Sequence, residues 1–235
     1  MTSEGDAGRE QQGTAAMYGW NVNVSVERAP APEQGFSHGV IAGSRVASVS
    51  GWRRVEELAV GDALLTFDNG PQRIQRLRRA QLWGDPAAVP RPSWPTVMPA
   101  GALGHAEEIV LLPGQGVLLQ TEAATDPMGD PFAVVPALAL AGFCRSDRAR
   151  PDRPVEVVTL QFAGDEVIFT EAGLMLHCPR CPAPPADFGI AEPPLYRVAT
   201  PDEALEILAR TDSVGAALVR RAADVPDAEA AADVA

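Results

Sequence analysis

Short apolar segments separated by glycine, proline and aspartate fill the chain from residue 39 to about residue 170. Segments such as "VIAGSRVASV", "ALLTF", "EIVLL", "GVLLQ" and "VEVVTLQF" contain five to ten residues each and are rich in branched apolar side chains, and each is predicted as one strand. Apolar runs of this length, bounded by turn-forming residues, are typical of β-strands. The segment "FDNGP" at 67–71 predicts a tight turn, since Asn69 and Gly70 tolerate positive φ. Because many such runs follow at close spacing, the sequence predicts an all-β domain of short strands.

The residues before this domain divide into two parts. Residues 1–15 are small and polar, which predicts a disordered N-terminus. Residues 16–38 contain the alternating segment "WNVNVSVER" and then "APAPEQG". This pattern predicts a half-buried leading strand followed by a linker.

Three different segments follow the domain. Residues 174–199 are rich in proline, which predicts an irregular segment. Residues 200–223 predict a short C-terminal helical extension, because Thr200 and Glu203 have the spacing of a capping box. Residues 224–235 carry acids and no base, which predicts a solvated, flexible tail.

Charge and composition limit the partners and the chemistry of the chain. Its net charge is −12 at pH 7 and its pI about 4.7, so nucleic-acid phosphates and anionic membrane surfaces would be repelled. All 19 basic residues are arginine, which excludes Schiff-base lysines, Ser–Lys dyads and the lysine of a P-loop. A secretory signal pattern is missing, and the longest apolar run, 13 residues, is too short to span a bilayer. We therefore expect a soluble cytoplasmic protein, and export by a route without a signal peptide stays open.

The cysteines offer one candidate metal site. Cys178 and Cys181 form a C-x2-C pair next to His177, and Cys144 could supply a further soft ligand. Zinc knuckles use this spacing, but a single pair suits an ordinary loop equally well. We expect no cofactor, and the three-cysteine zinc site is kept as an alternative.

The segment "GSRVASVSGWRRVEELAVGDALLTFDNGPQRIQRL" resembles the first part of the Hint domain, the fold shared by hedgehog autoprocessing domains and inteins. Downstream, "MPAGALG", "LLPGQGVLLQ", "VVPALAL" and "LQFAGDEVIFTEAG" are similar to later blocks of the same family, in the same order. The resemblance is to the compact bacterial form and covers residues 39–173. It implies an all-β, Hint-type horseshoe of short curved strands in two related halves.

The resemblance also implies an activity and the positions that should carry it. In the family, a Cys or Ser at the first position attacks the preceding carbonyl in an N-to-S or N-to-O acyl shift, and a middle-block histidine assists as a general acid–base. Here the nucleophile position falls on Gly39, the middle-block histidine on Gln115 and a later histidine on Asp165. Loss of one member of such a unit lowers the rate on the order of 10⁴- to 10⁶-fold. The resemblance therefore predicts a pseudoenzyme that has no catalytic residues left and acts as a binding or assembly module.

Two further alternatives concern the nucleophile and the partner. Residual self-cleavage could use Ser37, although a shift of two residues moves the hydroxyl by ~7 Å along a strand. A protein partner could bind through the proline-rich segment 174–199 or through the apolar face of the C-terminal helix. That face, Leu205 with Leu208 and neighbouring Ile207, could equally dock on its own domain. The sequence does not predict an oligomeric state.

Overall fold

The computed structural model describes residues 37–103, 105–124, 129, 131–143, 145–181 and 196–211. The predicted disordered N-terminus, the predicted leading strand, most of the proline-rich segment and the acidic tail lie outside these residues.

Short strands dominate the described residues, which form fourteen strands, four 3₁₀ turns and one α-helix. The strands are β1 (Val40–Ile41), β2 (Arg45–Ser48), β3 (Gly51–Arg54), β4 (Ala63–Thr66), β5 (Gly70–Arg73), β6 (Arg76–Leu82), β7 (Thr96–Met98), β8 (Ile109–Leu111), β9 (Gly116–Gln120), β10 (Phe132–Pro136), β11 (Asp147–Arg148), β12 (Val155–Gln161), β13 (Glu166–Phe169) and β14 (Met175–Cys178). The helix, α1, is Pro201–Arg210. The predicted all-β class with a short C-terminal helix is confirmed.

The strands pair into three antiparallel sheets. The largest has the order β10-β9-β14-β13-β4-β2-β3, with β5 paired to β4. Two three-stranded sheets have the orders β1-β12-β6 and β11-β7-β8. The predicted turn closes the β4–β5 hairpin, where Thr66 faces Gly70 and Gly70 has a φ of +63°.

The strands β9, β14 and β13 of the largest sheet are buried on both faces. Val117 and Leu119 of β9 point into the main core, whereas Leu118 between them packs into a second apolar cluster with Val134 and Val167. Side chains alternate between the two faces of a strand, so a strand covered on both sides needs apolar residues at every position. This explains why "GVLLQ" reads as a continuous apolar run instead of an alternating one.

Two predicted segments differ from the observed structure. The run "VIAGSRVASV" was expected to be one strand, but Gly43, with a φ of +95°, separates β1 from β2, and the two belong to different sheets. The predicted irregular segment 174–199 contains a buried strand at its start, β14, which pairs with β13 and β9. β14 is short and contains the polar His177, and the proline-rich composition of the segment begins only at Pro179, after the strand has ended.

The capping box of α1 is present as predicted. The Thr200 side chain accepts a hydrogen bond from the Glu203 backbone N–H, and the Glu203 carboxylate accepts one from the Thr200 backbone N–H. Ala204 and Leu208 are buried in the main core, whereas Leu205 is 53% exposed. The helix therefore docks on its own domain, and the predicted extension beyond residue 211 lies outside the described residues. No helix in the described part of the chain is long and apolar enough to cross a membrane.

Truncation of the two leucines on α1 should have unequal effects. Leu208→Ala is expected to lower the free energy of unfolding by about 2–5 kcal/mol, since it removes a side chain that is buried in the core. Leu205→Ala, the matched change on the exposed side, should alter it by less than about 0.5 kcal/mol. Urea denaturation of both variants measures the difference, and equal losses would contradict the docking of α1 on this domain.

Candidate functional site

The first described residues are held between two parts of the domain. Gly114 N–H donates to the Ser37 carbonyl over 2.7 Å, and Ala42 N–H donates to the Glu156 carbonyl on β12 over 2.9 Å. β1 thus enters the fold beside the loop before β9 on one side and β12 on the other. The Gly39 position, at the start of β1, is buried at this junction.

Gly39 has a backbone conformation that would be strained in a residue with a side chain. Its φ is +139°, in the region that residues with a Cβ rarely adopt. A Cβ built at this position would lie 2.6 Å from Val157 Cγ1, 3.1 Å from Thr159 Oγ1 and 3.2 Å from the Val158 carbonyl oxygen. β12 therefore fills the space that a nucleophilic side chain would need.

Gln115 joins three backbone segments at the site. It is 1% exposed, and its Oε1 accepts a hydrogen bond from Gly39 N–H over 2.9 Å. Its Nε2 donates to the carbonyls of Gly116 and His177, each over 2.9 Å. A side-chain amide does not ionise near neutral pH, so Gln115 holds the start of β1 in place and cannot act as a general acid.

Asp165 is connected to Gly39 indirectly, through His177. Asp165 Oδ1 accepts a hydrogen bond from Arg180 N–H over 3.1 Å and lies 3.6 Å from His177 Nε2. Burial opposes ionisation of Asp165, but His177 and the Arg180 N–H outweigh it and lower the pKa of the carboxyl. A row of buried polar groups thus runs from Gly39 through Gln115 and His177 to Asp165.

His177 was not predicted as part of this site. In the sequence it suggested a zinc ligand beside Cys178, but neighbouring residues of a strand point to opposite faces. β14 therefore directs His177 towards Asp165 and the edge of Tyr196, 6.1 Å away between ring centroids, and directs Cys178 into the main core. The sequence did contain a signal for this arrangement, because His177 and Cys178 are adjacent within an apolar run of strand length and should therefore point to opposite faces.

His38 carries the carbonyl that precedes Gly39, at the position that a self-cleaving domain would attack in its own chain. Thr159 Oγ1 donates to the His38 carbonyl over 3.4 Å. Burial, and then the proximity of His177, lower the pKa of the His38 imidazole. Its Nε2 is buried without a hydrogen-bond partner among the described residues. Ser37, the alternative nucleophile, is exposed, and its Oγ lies 3.5 Å from His38 Nδ1, at the outer limit of hydrogen bonding.

The three-cysteine zinc site stays a prediction, because Cys144 lies outside the described residues. Burial, together with the nearby Glu166 carboxylate, raises the pKa of the Cys178 thiol to about 12. Metal binding needs the thiolate, which this environment disfavours. Among the residues that the structure describes, no three His, Cys, Asp or Glu side chains are grouped closely enough to hold a metal ion.

Any side chain at position 39 should destabilise the fold. Gly39→Ala is expected to lower the free energy of unfolding by about 2–6 kcal/mol, the sum of backbone strain and overpacking against Val157. Gly84→Ala is the matched control, because a Cβ there meets no atom within 4 Å and its φ is not positive. The control should change stability by less than about 1 kcal/mol. Urea denaturation compares them, and a neutral Gly39→Ala would contradict the steric argument.

Protonation of the buried imidazoles should lower stability. Because burial depresses the pKa of His38 and of His105 in the folded state, the unfolded chain binds more protons between the folded pKa values and about 6.5. The free energy of unfolding should therefore fall as the pH is lowered from 7 to 5. NMR titration of the ring protons should place the midpoint of His38 below 6.5, and His177→Gln should raise it. A midpoint at or above 6.5 in the unmodified protein would contradict this assignment.

Comparison with known proteins identifies the family. The family model described as the Hint domain matches residues 39–175, more than half of the 235 residues. No curated protein sequence matches the chain at a significant level.

Solved structures show only a weak overall likeness. A bacterial intein-like domain from Clostridium thermocellum is 11% identical, with 60% of this chain and 98% of that chain covered and a TM-score of 0.40. The gp41-1 intein is 10% identical, with 60% and 99% covered and a TM-score of 0.36. The MchDnaB-1 intein is 13% identical, with 59% and 99% covered and a TM-score of 0.35. The family model thus provides the evidence of membership, and it begins at Gly39. By that match the chain belongs to the Hint domain family, whose members carry out autocatalytic splicing or cleavage.

Proposed function

We propose that this Hint domain does not process its own chain and acts as a binding or assembly module. The observation that carries the proposal is the environment of Gly39. The position that should bear the nucleophile has no side chain, and an added Cβ would lie 2.6 Å from Val157 Cγ1. The backbone there has a φ of +139°, which suits glycine and disfavours Cys or Ser.

The chemistry of the acyl shift supports the same conclusion. In that shift a thiol sulfur or a hydroxyl oxygen at position 39 gives up its proton and forms a bond to the His38 carbonyl carbon, and the His38–Gly39 amide bond breaks. The leaving nitrogen, that of Gly39, must gain a proton as the bond breaks. Its neighbour Gln115 accepts a hydrogen bond from this nitrogen through Oε1 and so supplies no proton to it. Both the attacking atom and the acid are therefore missing.

The retained packing is consistent with a role that needs the fold and not the reaction. Gln115 has a partner for its acceptor and for both donors, and it is buried. A buried amide that is fully hydrogen-bonded stabilises the entry of β1, whereas an unpaired one costs about 1–3 kcal/mol. The site thus keeps its structure after losing its reactive groups.

The partner surfaces proposed from the sequence differ in what the structure describes. Most of the proline-rich segment lies outside the described residues. Leu208 of α1 packs into the core of its own domain, whereas Leu205 is exposed. Docking on its own domain therefore accounts for most of the apolar face of α1, and a partner could use only the side around Leu205.

A second candidate function keeps self-cleavage with Ser37 as the nucleophile. The observation that favours it is the position of Ser37, which is exposed with its Oγ 3.5 Å from His38 Nδ1. An imidazole at that distance could act as a general base, and such contacts are often long before a substrate conformation forms. Cleavage would then occur before Ser37, two residues from the family position.

Incubation of the full-length protein should leave it intact. With dithiothreitol or hydroxylamine present, electrophoresis should give one band and intact mass spectrometry the mass of the uncleaved chain. Cleavage at His38–Gly39 would contradict the proposal. Cleavage before Ser37 that disappears in Ser37→Ala would establish the second candidate in its place.

The double variant Gly39→Cys with Gln115→His should also remain uncleaved. It restores a thiol and an imidazole, but the φ at position 39 and the contact with Val157 remain. Its folding must be verified by circular dichroism, and Val157→Ala in the same background tests whether the contact is responsible. If the double variant is cleaved without the additional Val157→Ala change, the missing thiol and imidazole prevent the reaction, and the backbone conformation at position 39 does not.

A further inference from the structure

Two unpaired strand edges line one cleft beside the candidate site. Among the described residues, β1 is the last strand of the β1-β12-β6 sheet, and β8 is the last strand of the β11-β7-β8 sheet. Residues of both strands line a cleft of about 380 Å³, which extends from Gly39 along β1 to Arg45. Unpaired strand edges present backbone hydrogen-bonding groups that can pair with another chain.

The register of β1 shows which of its groups face the cleft. In an antiparallel ladder, alternate residues direct both N–H and C=O towards the partner strand. Ala42 N–H donates a hydrogen bond to the Glu156 carbonyl on β12. Val40, two residues before Ala42, lies opposite Val158 and so directs its backbone groups to the same side. The backbone of Ile41 therefore points away from β12. Its carbonyl accepts a bond from Ser44 N–H, which leaves its N–H as a donor directed into the cleft.

The cleft has an apolar base and an acidic rim. Leu174 and Leu176 are buried beneath it. At the rim, Glu171 pairs with Arg45 over 3.1 Å. Glu107 and Glu108 are exposed and have no ion-pair or hydrogen-bond partner within the part of the chain that the structure describes.

We propose that this cleft binds an extended segment of a partner protein that carries arginine or lysine side chains, added as a strand along β1. The proposal rests on the proposed function as a binding module and names its site. An extended chain fits because a free edge offers backbone hydrogen bonds and the apolar base accepts alternate side chains. A basic segment fits because Glu107 and Glu108 at the rim have no ion-pair partner among the described residues, and complementary charge sets which partner binds.

Synthetic peptides and the full-length protein test the proposal by fluorescence anisotropy. The probe is a fluorescein-labelled, seven-residue peptide in which valine and arginine alternate. One control replaces arginine by glutamate, and another keeps the arginines but has N-methylated backbone at alternate residues, which blocks strand pairing. The basic peptide should bind, should weaken as sodium chloride is raised, and should exceed both controls.

Two double variants assign the binding to the cleft. Glu107→Gln with Glu108→Gln should weaken binding of the basic peptide about two- to thirty-fold, as expected for the loss of two exposed ion pairs. Glu57→Gln with Glu122→Gln is the matched control, because it removes the same charge at exposed positions outside the cleft and should leave the affinity unchanged. In amide NMR spectra, Ile41 should show a large shift on binding.

Each remaining outcome overturns the proposal. No binding, equal binding of the N-methylated peptide, or equal losses in the two double variants would exclude strand addition in this cleft. So would peptide binding with an unchanged Ile41 amide. The proposed function fails on a different measurement, the appearance of cleaved chain in the mass spectrum, so the two failures are distinguishable.

Discussion

The hydrogen bond from Gly39 N–H to Gln115 Oε1 fixes the point at which the chain enters the domain. Around that bond, β12 approaches so closely that a Cβ on residue 39 would overlap Val157. The close approach requires glycine, and glycine permits the positive φ that turns β1 along β12. The glycine that provides no nucleophilic side chain is thus also the residue that the packing requires.

Buried polar groups surround that bond and connect it to β14. Gln115, His177 and Asp165 form a connected row, with Tyr196 against the imidazole of His177. Buried polar groups cost free energy unless they are hydrogen-bonded or paired, so these contacts stabilise the fold around Gly39. Two imidazoles depart from this rule among the described residues, since the buried Nε2 atoms of His38 and His177 lack a hydrogen-bond partner. His177 Nε2 still lies 3.6 Å from the Asp165 carboxylate, within ion-pairing distance.

Local patterns in the sequence predicted the elements but not all of their boundaries. The β4–β5 turn and the capping box at Thr200 were predictable because each depends on residues close in the chain. β14 was missed because it is only four residues long, contains the polar His177 and is followed directly by Pro179 and further prolines. Gln115 and Asp165 were placed by family resemblance. The role of His177 was not, since it depends on which face of the sheet carries its side chain and on the nearness of Asp165 on that face.

The sequence by itself determined the all-β class, the acidic charge, the family and the lack of a nucleophile at Gly39, because each of these follows from residue identity and order. Tertiary structure alone decided that no side chain fits at Gly39, that His177 joins Asp165, and that the free edges of β1 and β8 share a cleft. Those features arise where segments distant in the chain come within contact distance. The pairing of strands sets that contact, and it is a property of the whole sheet rather than of any one segment.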